Sequence, residues 1–131
     1  MSIAHGTIAF DTLTTSDQVE TGTEKSLDTS YIYHGTPKVF ACWESAATFI
    51  KNDTLNVTSV SDNGAGSGTL NFTNSLATNT YCSTTGTSHW HDLIASGSVA
   101  TGSFRLTTYD SDHSTQIDCD DTNAIICGEL A

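Results

Sequence analysis

The stretch Asn56-Val57-Thr58-Ser59-Val60-Ser61-Asp62-Asn63-Gly64-Ala65-Gly66-Ser67-Gly68-Thr69-Leu70-Asn71-Phe72-Thr73 decides the fold. Ahead of the glycines, Leu55, Val57 and Ser59 alternate with Asn56, Thr58 and Val60. Behind them, Leu70 and Phe72 alternate with Thr69, Asn71 and Thr73. A period of two sends successive side chains to opposite faces, so each run predicts a strand with one face on a core. Asp62, Asn63 and the glycines at 64, 66 and 68 tolerate the positive φ that a reversing chain needs and β-branched residues resist. The expectation is a β-hairpin with a long, glycine-rich connection.

Working outward, Pro37 opens a strand, a position where the missing N–H is tolerated. Val39, Ala41 and Trp43 share one face and Phe40 and Cys42 the other, so burial on both sides is expected, with Trp43 in the core. Residues 48–50 read as a short strand or return. Further strands are expected at 80–85, 104–109 and 124–130, and Gly86 to Gly102 reads as a long polar insertion carrying His89, Trp90 and His91. About seven short strands separated by turn signals describe an all-β sandwich. Residues 1–35 lack a helical period and read as an N-terminal arm, leaving 36–131 as the β-sandwich domain, with Leu27, Tyr31, Ile32 and Tyr33 where the two meet.

At 131 residues, 37% of them hydrophobic, the chain supports one domain with a modest core whose burial is expected to be completed between subunits. The formal net charge of −11, with Lys25, Lys38, Lys51 and Arg105 the positive residues, disfavours nucleic acid, since binding works by releasing phosphate counterions. It disfavours anionic membrane surfaces for the same reason, and no run approaches the roughly 20 apolar residues of a membrane span. No basic, apolar leader marks a signal peptide. Cys42, Cys82, Cys119 and Cys127 form no Cys-x-x-Cys pair; buried free thiols are expected, with a disulfide formed later the alternative.

No catalytic signature is present, and no enzyme is expected. There is no Gly-x-Ser-x-Gly elbow, and Glu44, Asp53, Asp62 and Asp92 read as solvated carboxylates rather than a sugar-cleaving pair. The acidic run Asp110, Asp112, Ser114, Gln116, Asp118, Asp120 alternates oxygen side chains as a calcium loop would. It lacks that loop's turn glycine and terminal Glu, so an acidic hairpin loop is the plainer reading. Trp90 with Tyr109 forms a candidate ligand-binding pair, because aromatic faces match the apolar face of a sugar ring.

Asn56 to Thr73 followed by Asn79-Thr80-Tyr81 resembles a β-rich module of tail-fibre-like and other virion proteins of tailed bacteriophages, notably those of marine bacteria. Lys38 to Trp43, Ser103 to Tyr109 and Asn123 to Gly128 resemble its flanking strands, so the resemblance covers roughly residues 37–130. Cys42, Trp43 and His89-Trp90-His91 depart from it. The resemblance implies a non-enzymatic virion surface protein of the tail-fibre or receptor-binding type, mounted through its arm on other virion proteins and located on the particle. It also implies a homotrimer; a host-surface glycan is the partner that the Trp90 and Tyr109 pair would take. A capsid decoration protein is the alternative within that class and a carbohydrate-binding module the alternative outside it. His89-x-His91 resembles the His-x-His iron sites on the three-fold axis of some phage fibres. His89 and His91 are therefore the candidate metal ligands; two exposed, unliganded loop histidines are the plainer reading, and no other cofactor is expected.

Overall fold

The central hairpin forms as the alternation requires. β5 (Val57–Asp62) and β6 (Ser67–Phe72) pair antiparallel, with Leu70 and Phe72 turned into the core. The computed structural model describes residues 12–14, 26–44, 50–87 and 92–131, with side chains at 29–43, 53–87 and 98–131. Around the hairpin lie β1 (Thr12–Thr14), β2 (Ser26–Asp28), α1 (Thr29–Gly35), β3 (Pro37–Glu44) and β4 (Ile50–Leu55). Beyond it follow β7 (Cys82–Thr87), β8 (Asp92–Ala100), β9 (Ser103–Tyr109) and β10 (Thr122–Cys127).

Two four-stranded antiparallel sheets result, of order β4-β3-β10-β7 and β5-β6-β9-β8, with a separate β1-β2 ribbon. Val39, Ala41, Trp43, Ala124 and Ile126 from the first sheet meet Val57, Leu70, Phe72, Phe104 and Leu106 from the second. Each set recurs at every second residue of its strand, so the two inner faces close one core between them. The chain is therefore all-β and sandwich-like.

Two local features change the register read from sequence. The β5–β6 pairing slips between Val57 and Ser59, a β-bulge at Thr58, so Val57 and Val60 both turn to the core although three residues apart. Leu55 belongs to β4 in the other sheet and is 45% exposed; Asn56 is the corner between the sheets, at φ 57°. Asparagine accepts that left-handed conformation more readily than most residues. Its carbonyl accepts from the Thr73 N–H at 3.1 Å, its Oδ1 from the Asn74 N–H at 2.7 Å, and its Nδ2 donates to the Asn74 carbonyl at 3.0 Å.

Other expectations need correction. Residues 92–100, expected within a polar insertion, form a strand that pairs with the edge of β9, with a register shift between Ala95 and Val99. Phe40 and Cys42 are half-buried rather than buried, since the outer face of their sheet is open. For the same reason Cys82 is exposed and Cys127 half-buried, and buried free thiol describes Cys119 alone. Within 1–35, α1 is a short helix that the sequence did not signal. Tyr33 donates to Glu129 Oε1 at 3.4 Å and its ring lies 5.7 Å from the Lys38 ammonium, so α1 rests on the C-terminal segment.

Candidate functional site

The strand directions divide the connections between two ends of the sandwich. At one end lie the β5–β6 tip, residues 63–66, and the β9–β10 connection, residues 110–121. At this end too, Tyr109 pairs with Asp92, the first residue of β8. At the other end lie α1, the Asn56 corner and the C-terminal segment, where Leu76 bridges Leu130.

The tip end is built from turns that consume their own carboxylates. Asp110 Oδ1 accepts from the Ser114 N–H at 2.9 Å and the Thr115 N–H at 3.2 Å, and its Oδ2 from the Ser114 hydroxyl at 3.2 Å. Asp112 Oδ1 accepts from the same Ser114 N–H at 3.0 Å, and His113 turns the chain at φ 59°. Hydrogen bonding with the Asp112 carboxyl first of all, against an upward push from desolvation and with the help of these backbone and hydroxyl donors, holds the Asp110 carboxyl down at about 2. At the hairpin, Asp62 Oδ1 accepts from the Gly64 N–H at 2.7 Å.

The second half of the 110–121 connection folds back onto the hairpin. Asp118 Oδ1 accepts from the Gly66 N–H at 2.8 Å, and the Thr108 N–H donates to the Gly66 carbonyl at 2.7 Å. The Thr108 hydroxyl donates to the Ile117 carbonyl at 2.6 Å. Cys119 is buried behind this lock, and desolvation first, then the Asp118 and Asp120 charges, push its thiol up against a lowering hydrogen bond with Thr108.

The acidic run does not converge as a calcium loop. Asp110 and Asp112 turn toward the Ser114 amide and Asp118 toward Gly66, and among the described residues no three His, Cys, Asp or Glu side chains gather into a metal site. Tyr109 is half-buried and its hydroxyl accepts from Gln116 Nε2 at 3.2 Å. Its proposed companion Trp90, and the candidate metal ligands His89 and His91, lie outside the described residues. Trp43 is 1% exposed, in the core. Asp53 sits on β4 and Asp62 at the tip of the other sheet, so these two are not brought together.

An open groove of about 410 Å³ at the opposite end escaped the sequence reading. Pro37, Lys38, Leu55, Asn56, Thr73, Asn74 and Leu130 line it, and they converge through the Asn56 corner rather than through any motif. On the outer face of the first sheet, Leu55, Phe40 and Ile125 stand in one cross-strand row, with Ile125 46% exposed. A scan of family models and searches of curated proteins and of solved structures found no match to this chain.

Proposed function

We propose that the chain is a non-enzymatic surface protein of a tailed-bacteriophage virion, of the tail-fibre or receptor-binding type, mounted through its N-terminal residues. The observation that supports this reading is the division of the sandwich into two ends. The chain enters at the end where α1 packs on the C-terminal segment, with Tyr31 70% exposed beside it. The polar connections 63–66 and 110–121 gather at the far end, with Ser111 to Gln116 exposed. Loops carried on a rigid scaffold, away from the point of attachment, are a common arrangement for recognition.

In this reading the outer-face row of Leu55, Phe40 and Ile125 is covered by further copies of the chain, as a homotrimer. Large side chains in one row favour an interface over isolated exposure. Immunogold labelling of purified particles tests the function: label on the tail supports it, label on the head moves the protein to capsid decoration, and unlabelled particles remove it from the virion. Light scattering of the intact chain tests the assembly, with three chains per particle expected and a monomer at micromolar concentration the refuting result.

A further inference from the structure

Cys82 begins β7 and Cys127 ends β10, and the ladder between these strands sets the two directly opposite each other. Along β10, Ala124 and Ile126 are buried while Asn123 and Ile125 are exposed, so Cys127 belongs to the outward set. Its partner Cys82 is exposed on that same outer face. Directly opposed residues of an antiparallel pair hold their Cβ atoms about 4.5–5.5 Å apart, and a disulfide spans about 3.5–4.5 Å. Between the middles of the two ranges, the strands must therefore pinch together by about 1 Å. Both cysteines lie at the ends of their strands, where a pinch disturbs the fewest ladder bonds; the register shift between Ile126 and Cys127 lies in the β3–β10 ladder on the other side of β10, and the β7–β10 ladder keeps its register.

Reduced, Cys127 has a second contact. Its Sγ–H points at the carbonyl of Gly35, the last residue of α1, with Sγ 3.8 Å from the oxygen. A disulfide removes that S–H and draws the sulfur toward β7.

We propose that Cys82 and Cys127 form a reversible cross-strand disulfide, and that its formation releases the C-terminal end of α1 from β10. The oxidant is a low-molecular-weight disulfide such as glutathione disulfide. The exposed Cys82 thiol loses its proton, attacks one sulfur of the oxidant and expels one glutathione thiolate, giving a mixed disulfide. Cys127, deprotonated in turn, attacks Cys82 Sγ, forms the protein S–S bond and expels the second thiolate. The protein loses two electrons and two protons; the oxidant's S–S bond is cleaved and two glutathione thiols carry those electrons and protons away. A bridge that must pinch its strands stores strain and is the more easily reduced, so the pair acts as a switch rather than a permanent staple. The inference is independent of the virion reading.

The test equilibrates the intact chain in glutathione buffers of increasing disulfide content, alkylates remaining thiols under denaturing conditions and maps peptides by mass spectrometry. A peptide pair joined through Cys82 and Cys127, reversed by reductant, with Cys42 and Cys119 alkylated, is the expected result. Amide exchange across residues 29–36 is expected to rise several-fold on oxidation in the wild type and to stay unchanged in Cys82→Ser and Cys127→Ser. Separately alkylated or separately glutathionylated Cys82 and Cys127 at the most oxidising ratio, or a bridge to Cys42, overturns the pair. A Cys82–Cys127 bridge with unchanged exchange at 29–36 overturns the coupling to α1.

Discussion

Gly66→Ala probes the lock between the hairpin and the 110–121 connection. Gly66 has φ +64°, and a Cβ built there would lie 2.5 Å from the Thr108 carbonyl oxygen, 2.6 Å from the Ile117 nitrogen and 2.7 Å from the Ile117 oxygen. All three are backbone atoms, so no side chain can rotate aside. The left-handed conformation costs an alanine about 1–2 kcal/mol. Forcing the backbones apart adds about 1–3 kcal/mol, as overpacking does. Loosening the Gly66 to Asp118 hydrogen bond, which has a charged acceptor, adds about 1.5–3 kcal/mol if it is lost. A total of about 4–8 kcal/mol rivals the roughly 5–15 kcal/mol stability of a domain. Urea unfolding followed by circular dichroism is the assay, with the midpoint falling at constant slope if the variant folds at all. Gly64→Ala is the control: its φ is +106° but nothing lies within 4 Å, so only the backbone cost of about 1–3 kcal/mol applies. Gly66→Asn separates the two terms, because asparagine tolerates the dihedral and still carries the Cβ. Equal midpoints for Gly66→Ala and Gly64→Ala, or rescue by asparagine, would refute the steric argument.

Phe72→Asp is expected to abolish the folded circular dichroism spectrum, because it leaves an unpaired charge in the core. Asn71→Asp, on the outward face, is expected to remain folded, with a loss of about 1–3 kcal/mol from its bonds to Ser59 and Ser61. The Asp110 carboxyl, held at about 2, contributes stability that is present above the unfolded carboxylate range and lost as pH falls toward 2. Acid titration of the melting temperature should show that loss diminished in Asp110→Asn. Burial pushes the Tyr81 hydroxyl up to about 12, and it donates to the Ser103 carbonyl at 3.1 Å. Its contribution is therefore complete below pH 10 and lost as pH rises from about 10 to 12. Alkaline melts should show this dependence in the wild type and lose it in Tyr81→Phe, which should also be about 0.5–1.5 kcal/mol less stable.

Strand alternation was legible wherever the pleat was regular: Leu70 and Phe72, Val39 to Trp43, and Phe104 and Leu106 fall on the core as their spacing requires. It misled where the backbone breaks step. The bulge at Thr58 moves Val60 onto the core face, and the Asn56 corner assigns Leu55 to the other sheet, although both runs keep their period of two. β8 was hidden because Ser96, Gly97 and Ser98 carry turn composition. Its pairing with β9 is a long-range event that no local window contains. The groove at the Asn56 corner and the opposition of Cys82 to Cys127 were invisible for the same reason, since each joins residues far apart in the chain.

The oxygen-rich composition also reads differently once the turns are seen. Alternating Asp and Ser from 110 to 118 has the spacing of a cation loop, yet a carboxylate that already accepts two or three N–H or O–H bonds has few lone pairs left for a metal. Asp110 accepts three such bonds, and Asp62, Asp112 and Asp118 each accept from a backbone amide. The low pKa of Asp110 follows first from its hydrogen bond with the Asp112 carboxyl and then from these donors. What the acidic residues supply at this end is a set of stiff turns that pin one connection to the hairpin through Gly66. In the proposed reading, the surface offered for recognition at this end is the exposed, polar run 111–116 together with the exposed tip residues 62–65. On that reading, the expected partner is rich in hydroxyls or carries positive charge, and a polyanion is disfavoured.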